Sequence, residues 1–417
     1  MFGTEKLPRR RRKNRPQGRP RAVRRHIRYH RIPRRGFIAS LAPSPLDRNA
    51  AAALEDHVPA PAARLRDRFG RAITDLRLSV TDRCNYRCVY CRTGNEGAQY
   101  TELPVADYLR MARLLVSLGI EKVRLTGGEP LLRAGLVEMV AELAQLRTAF
   151  RPDGTPHTPG ESGRPLDLAL TTNGHLLASL AVPLARAGLN RVTVSMDAVD
   201  PELFARITRV PRSYQRVLEG VRAAQAAGLG PVKINCVLLR GFNHTQIEAF
   251  AGFSRSEGVI VRFIEFMPLE EPSALGEARA WTPDVVVPMD EILARLNAWR
   301  PSCSVPAGLV PLAANAASET ARRYTFQDGV GEIGIVAPVS HPFCGHCSRV
   351  RITSDGALRT CLFSQSDHDL YGRMRKGATD QELAAYIRSV VMQKEARHHI
   401  GEPGFEKPSR NMVHIGG

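Results

Sequence analysis

Cys84, Cys88 and Cys91 stand at C-x3-C-x2-C spacing directly after the strand-like run Leu76-Arg77-Leu78-Ser79-Val80. Thiolates are soft ligands that suit iron–sulfur clusters and zinc. Three in one loop can hold three corners of a cubane cluster and leave its fourth iron open. An open coordination position is what a catalytic metal site needs. The competing reading is a structural zinc knuckle, but such sites are closed and four-coordinate, and no fourth protein ligand lies near these three in the sequence.

A second group, Cys344, Cys347 and Cys361, has C-x2-C-x13-C spacing. Cys344-Gly345-His346-Cys347 alone resembles a thiol oxidoreductase motif. That chemistry needs a following helix to depress the thiol pKa, whereas Ser348-Arg349-Val350-Arg351-Ile352-Thr353 alternates like a strand. A second cluster with an open iron is therefore expected, against a zinc site completed by His346 or His341. Cys236 reads as a small buried hydrophobe, and Cys303 is assigned no role.

Arg77, Arg124, Lys233 and Arg262 each interrupt an otherwise apolar strand-like run. One such residue is usually a solvated edge position. Four of them are better explained by a shared anionic ligand in the interior, because unpaired buried cations are costly. A triphosphate fits, and arginine offers it bidentate contacts. Arg349 and Arg351, two apart on a strand, share one face. Gly127-Gly128-Glu129-Pro130 follows a strand: the glycines let the backbone approach a ligand, and Glu129 can accept from an ammonium.

The elements that must position these residues alternate between β and α. Strand-like runs cover 75–80, 122–126, 166–171, 191–195, 232–239 and 259–266, with helical patterns over 104–118, 136–146, 180–187, 214–227 and 245–256. Six β-then-α units imply a parallel sheet or open barrel that carries function at the strand C-termini. Residues 151–165 form a turn-rich insertion. After Met267 the regularity ends: a helix is expected over 282–298, a hairpin over 322–326 and 332–336, and a helix over 378–391. Gly329-Val330-Gly331-Glu332-Ile333-Gly334 matches a dinucleotide fingerprint but joins no strand to a helix, so it reads as a hairpin turn.

The net charge of +18 is concentrated at one end: residues 1–35 hold 15 Lys/Arg and one acid, +14, leaving about +4 for the rest. Residues 1–64, basic and then Ala/Pro-rich, have too few apolar residues to repay ordering and are expected to be a disordered extension. They also allow a transit peptide or a nucleic-acid-binding tail. No run of 18 apolar residues appears, so no transmembrane helix is expected.

The first cysteine motif, with Tyr90 before its last member, resembles the radical S-adenosylmethionine (SAM) superfamily. The two cysteine groups together, with Asp75-Leu-Arg-Leu-Ser-Val-Thr-Asp-Arg-Cys84, Val123-Arg-Leu-Thr-Gly-Gly-Glu-Pro130, Leu170-Thr-Thr-Asn-Gly174, Arg262-Phe-Ile-Glu-Phe-Met267, Cys347-Ser-Arg-Val-Arg351 and a terminal Gly416-Gly417, resemble the GTP 3′,8-cyclase family of molybdenum cofactor biosynthesis. The resemblance runs from about residue 65 to 417. It implies an α/β fold: an incomplete six-stranded (βα)6 barrel over 65–280 and a C-terminal auxiliary-cluster domain over 281–417. Two [4Fe–4S] clusters and SAM are implied cofactors, the first cluster on Cys84, Cys88 and Cys91 and the second on Cys344, Cys347 and Cys361.

By residue match, Tyr90, Gly128, Ser195 and Met267 contact SAM. Arg77, Arg124, Thr171, Lys233, Arg349, Val350 and Arg351 contact GTP, with Arg349 and Arg351 orienting it for catalysis. The implied reaction cleaves SAM reductively, removes the ribose 3′-hydrogen of GTP and closes a bond to guanine C8. Implied partners are a flavodoxin- or ferredoxin-like electron donor, a downstream cyclic pyranopterin monophosphate synthase and a second copy in a homodimer, with no membrane. The expected location is the cytoplasm, or an organelle matrix if the extension is a transit peptide. Two departures stand out: Arg92-Thr93 replaces the family's usual Met-Pro after Cys91, and the 151–165 insertion is long. A peptide-modifying radical SAM enzyme and a nucleic-acid-binding metalloprotein are the alternatives from other classes.

Overall fold

The computed structural model describes residues 63–91, 98–158, 160–269, 281–300, 306–410 and 412–416. The extension up to residue 62, Arg92 and Thr93, Cys303 and Gly417 lie outside the described residues.

Strands and helices alternate as the periodicity requires. β1 (Asp75–Ser79) leads to α1 (Val105–Ser117), β2 (Lys122–Thr126) to α2 (Leu136–Gln145) and β3 (Asp167–Thr172) to α3 (Leu177–Arg186). β4 (Arg191–Ser195) is followed by two helices, α4 (Pro201–Thr208) and α5 (Ser213–Ala226). β5 (Lys233–Leu238), α6 (Ile247–Glu257) and β6 (Ile260–Glu265) complete the series. The six strands pair in parallel in chain order. α4 is the helix that periodicity missed; it is short, with Pro201 in its first turn and Asp200 capping the Leu203 N–H.

A parallel sheet buried on both faces reads as a continuous apolar run. Here the strands alternate. Leu76, Leu78, Val123, Leu125, Ile234, Val261 and Phe263 belong to the apolar core, while Arg77, Arg124, Lys233 and Arg262 occupy the intervening positions and line a cavity. One face of the sheet therefore packs on helices and the other encloses polar space.

The C-terminal segment comprises α7 (Met289–Ala298), β7 (Leu309–Leu312), β8 (Arg322–Phe326), β9 (Glu332–Val336), β10 (Arg349–Ile352), β11 (Ala357–Arg359), β12 (His368–Asp369), α8 (Leu370–Arg375), α9 (Asp380–Val391) and α10 (Met412–Ile415). β9 joins β6 in parallel and β10 joins β1 in parallel, giving one twelve-stranded sheet in the order β12-β11-β10-β1-β2-β3-β4-β5-β6-β9-β8-β7. The division expected near residue 280 falls between β6 and α7, and strands from both sides share this sheet.

The single helix expected over 282–298 is instead a short 3-10 turn, Pro283–Val285, and then α7. Pro288, the N-cap of α7, explains the break: it has no N–H to donate, and its ring excludes the preceding helical carbonyl. The glycine-rich segment from Gly329 is the β8–β9 hairpin turn, closed by Gly329 N–H on the Phe326 carbonyl at 2.8 Å. α9 begins on a reciprocal capping box between Thr379 and Glu382.

Candidate active site

The polar face of the sheet encloses a cavity of about 810 Å³, a size typical of small-molecule sites. All six cysteines of the two groups line it. So do Tyr90, Gly128, Ser195 and Met267, and so do Arg77, Arg124, Thr171, Lys233, Arg349 and Arg351. Val350 differs: it alternates with the two arginines, and its side chain lies in the apolar core on the sheet's other face. Any contact it makes with a ligand runs through its backbone.

The first cysteine loop follows β1 and is pinned on two sides. Gly128 N–H donates to the Thr81 carbonyl at 2.9 Å, and Glu129 N–H to the Arg83 carbonyl at 2.7 Å. A Cβ on Gly127 or Gly128 would overlap the Thr81 or Arg83 carbonyl, so these glycines are required by the cysteine loop's own backbone. On the other side, Arg87 N–H donates to the Thr208 carbonyl at 3.1 Å and Val89 N–H to the Ile207 carbonyl at 3.0 Å.

Glu129 corrects an expectation. Its carboxylate is fully buried and accepts from Leu131 N–H at 2.9 Å, the Thr172 hydroxyl at 2.7 Å and Asn173 N–H at 2.6 Å. Burial pushes its pKa up to about 7, against these three donors. Capping the 3-10 turn Pro130–Leu132 turns the side chain away from any ligand ammonium.

The loop is suited to a metal. Tyr86 N–H points at Cys84 Sγ at 3.4 Å, and Asn173 Nδ2 lies 4.0 Å from the same sulfur. Cys88 is driven well above the ordinary thiol range by burial, then by Cys91, Asp197 and Cys84. Neighbouring thiolates disfavour one another, and a bound cation reverses that. Three thiols sharing one cavity wall are a ligand set that suits a cubane cluster with one iron left open.

In the second group, Cys344 and Cys347 bracket a 3-10 turn before β10, and Cys361 follows β11. Burial opposes ionisation of Cys347, yet the Arg349 guanidinium and Lys394 ammonium bring its thiol down to about 6. His346 is exposed, and His341 lies 3.4 Å from Asp290; neither lines the cavity that the three cysteines share.

Two cations invisible to motif reading hold this group. Lys394, 2% exposed, donates to the carbonyls of Arg349 (3.0 Å) and Thr360. Arg71 donates to the carbonyls of Cys344 (2.8 Å), Glu395 (2.6 Å) and Ala396 (3.0 Å). Asp197 was likewise missed: its Oδ2 accepts from the Tyr90 hydroxyl at 2.5 Å and its Oδ1 from Val237 N–H at 2.8 Å, while burial lifts its pKa to about 6.

Register explains the charge. Arg77 lies directly opposite Arg351 on β10 and Arg124 on β2. Like charges side by side across strands repel. Burial and then Arg351, Arg349 and Arg124 depress Arg77 well below the ordinary guanidinium range. Burial and Arg262 bring Lys233 down to about 8. Other cavity cations are matched: Lys122 by Asp75 (3.1 Å), Arg262 by Glu319 (3.6 Å) and Arg323 by Glu332 (2.8 Å). Among the described residues Arg77, Arg124 and Lys233 have no carboxylate within 4.0 Å. Arg124 instead donates to the Thr171 and Thr193 hydroxyls at 3.1 and 3.2 Å. These three cations suit the cavity to an anionic ligand.

Residues 78–253 match the Radical SAM superfamily and residues 259–400 the Molybdenum Cofactor Synthesis C family. The chain is 42% identical over 364 residues to the GTP 3′,8-cyclase of Xanthomonas axonopodis pv. citri, covering 85% of this chain and 99% of that one. The chain belongs to the GTP 3′,8-cyclase family. The family's proteins from Corynebacterium glutamicum (strain ATCC 13032) and Moorella thermoacetica are 42% and 39% identical, each match covering 85% of this chain and, respectively, 89% and 100% of the relative. The fold is also shared with Streptococcus suis SuiB bound to S-adenosylmethionine, at TM-score 0.51 and 15% identity over 82% of this chain and 71% of that one. Membership in a radical SAM family implies a [4Fe–4S] cluster and SAM. No helix among the described residues is long and apolar enough to cross a membrane.

Proposed function

We propose that this chain converts GTP to (8S)-3′,8-cyclo-7,8-dihydroguanosine 5′-triphosphate, the first step of molybdenum cofactor biosynthesis. The observation that carries this reading is a single cavity lined by two three-cysteine groups and by half-buried cations without carboxylate partners among the described residues. Relatives named GTP 3′,8-cyclase at about two-fifths identity support it.

In this reading Cys84, Cys88 and Cys91 hold one [4Fe–4S] cluster, and Cys344, Cys347 and Cys361 hold a second. When bound, the first cluster supplies the electron for reductive cleavage of SAM. The chain's own residues then position and exclude. Gly128, Ser195, Met267 and Tyr90 seat SAM, with Tyr90 fixed by Asp197. Arg77, Arg124 and Lys233 take the triphosphate, and Thr171 orients Arg124. Arg349 and Arg351 turn the nucleoside so that its 3′-hydrogen faces SAM. Their fork geometry specifies a pose that a point charge cannot. Met412 and Val413 close the cavity from the C-terminal end, and Arg351 holds the turn that follows them at Gly416. A reduced electron carrier upstream and a cyclic pyranopterin monophosphate synthase downstream complete the proposed pathway position.

The test is anaerobic incubation of the iron-reconstituted chain with SAM, dithionite and GTP. GTP should give an isomeric nucleotide together with 5′-deoxyadenosine. SAM cleavage without any change in GTP would leave a radical SAM enzyme of other specificity.

A further inference from the structure

The outer side of the first cysteine loop is a basic surface that the reaction itself does not use. The turn between α4 and α5 carries Arg209 and Arg212, α5 carries Arg216, and the cysteine loop adds Arg87; all four are exposed. Among the described residues Arg209, Arg212 and Arg216 have no carboxylate within 4.0 Å. The acids of these helices beside the patch are Glu202 and Glu219, and Glu219 is engaged by Gln215 at 3.2 Å.

Two observations separate this surface from an ordinary solvated face. It is joined to the cysteine loop: the Ile207 and Thr208 carbonyls take the Val89 and Arg87 N–H groups on either side of Cys88. Arg216 donates to His175 Nε2 at 3.0 Å, and His175 Nδ1 meets the Tyr86 hydroxyl at 3.1 Å inside the same loop. The backbone of the turn is also held in place. Arg209 and Arg212 hold left-handed backbone, φ 55° and 56°, which non-glycine residues adopt at a cost. Buried Thr208 and Ser213 pin the turn through bonds to the Phe204 and Val210 carbonyls at 2.8 and 2.7 Å.

We propose that the α4–α5 turn, with Arg87, is the docking surface for an acidic one-electron carrier protein that reduces the metal centre held by Cys84, Cys88 and Cys91. This rests on the function proposed above. One electron leaves the carrier, a flavin hydroquinone becoming the semiquinone, and enters the [4Fe–4S] group, which passes from the 2+ to the 1+ state. The cavity side of the loop is given to SAM and GTP, so the carrier must approach from outside. A cluster of like charges steers an acidic partner and raises its association rate. A nucleic-acid strand is a poorer fit, because strand binding combines cations with aromatic platforms. The aromatic residue here, Tyr214, is half-buried against Phe204.

The test uses the reconstituted chain, the double variant Arg209→Gln/Arg212→Gln, and an acidic flavodoxin as the probe. Titration calorimetry with oxidised flavodoxin reads binding without turnover; stopped-flow bleaching with the hydroquinone reads reduction. Affinity and reduction rate should both fall about 10-fold in the variant, the wild-type rate should fall with salt, and reduction by dithionite should be unchanged. Equal flavodoxin affinity and rate in variant and wild type, with dithionite-driven SAM cleavage intact, would overturn the docking surface alone. Loss of oligonucleotide binding in the variant, with flavodoxin unaffected, would reassign the patch to nucleic acid. A wild-type chain that cleaves no SAM even with dithionite would remove the proposed function and this proposal with it.

Discussion

Arg351, which lines the cavity, holds the C-terminal turn at Gly416. The guanidinium donates to the Gly416 carbonyl, and to that of Ile415 at 3.5 Å, so the C-terminal turn is tied to the strand that follows the second cysteine pair. Gly416 has φ 69°, and a Cβ there would collide with the Thr126 hydroxyl at the end of β2. Only glycine fits between the tail and the first strands. Gly416→Ala should therefore displace the tail while leaving the core folded. A shift of about 1 Å in a reacting geometry costs on the order of 100-fold. Cyclised nucleotide should fall by about that factor, with iron content and melting temperature unchanged; wild-type turnover would show that the tail's position is immaterial.

The two cysteine groups should fail differently. Cys88→Ser removes one corner of the proposed first cluster and should abolish 5′-deoxyadenosine formation. Cys347→Ser should keep part of that cleavage and lose cyclisation. Both products are measured in one anaerobic reaction, and identical SAM cleavage in both variants and wild type would defeat this division of labour.

Lys233 gives a pH signature. Burial and Arg262 hold it at about 8 in the free chain. Below pH 8 the ammonium is already charged; above it the side chain is neutral and must take up a proton to meet a phosphate. GTP binding should therefore consume protons near pH 8.5 and almost none near pH 6.5, and affinity should weaken as pH rises through 8. Calorimetry in buffers of different ionisation enthalpy reads the uptake directly. Lys233→Arg should abolish it, because a guanidinium stays charged over this range. Equal uptake at both pH values in wild type would exclude Lys233 from the anion site.

Lys394 should be needed for the second cluster alone. It joins the Arg349 and Thr360 carbonyls, which flank Cys347 and Cys361. Lys394→Met leaves both without their buried donor, at a cost of about 1–3 kcal/mol each. Iron should drop from about eight to about four per chain, with SAM cleavage retained. Full iron and unchanged cyclisation would make Lys394 a bystander.

Much of this was legible because the signals are local. β2 and β4 fall where the alternation placed them, and the other four parallel strands shift by one residue at most. The β8–β9 hairpin kept its expected bounds. All six clustered cysteines, and every expected contact residue except Val350, line one cavity. What escaped is non-local. Nothing near Lys394 in the sequence announces a buried ammonium; it is buried because β10 and β11 bring Arg349 and Thr360 to it. Asp197 follows β4 like any loop acid until Tyr90, 107 residues away, donates to it. The pairing of β10 with β1 spans more than 270 residues and has no periodic trace. Glu129 misled because a motif glutamate after two glycines suggested a ligand contact, whereas capping its own turn satisfied it.

The central claim is that the radical generated beside the first cysteine group removes the 3′-hydrogen of a GTP held by Arg77, Arg124 and Lys233. The most direct measurement supplies [3′-²H]GTP to the reduced, reconstituted chain with SAM and reads the mass of the 5′-deoxyadenosine formed. Singly deuterated 5′-deoxyadenosine, in step with cyclised nucleotide, is the expected result. Undeuterated 5′-deoxyadenosine alongside undiminished cyclisation would contradict the account.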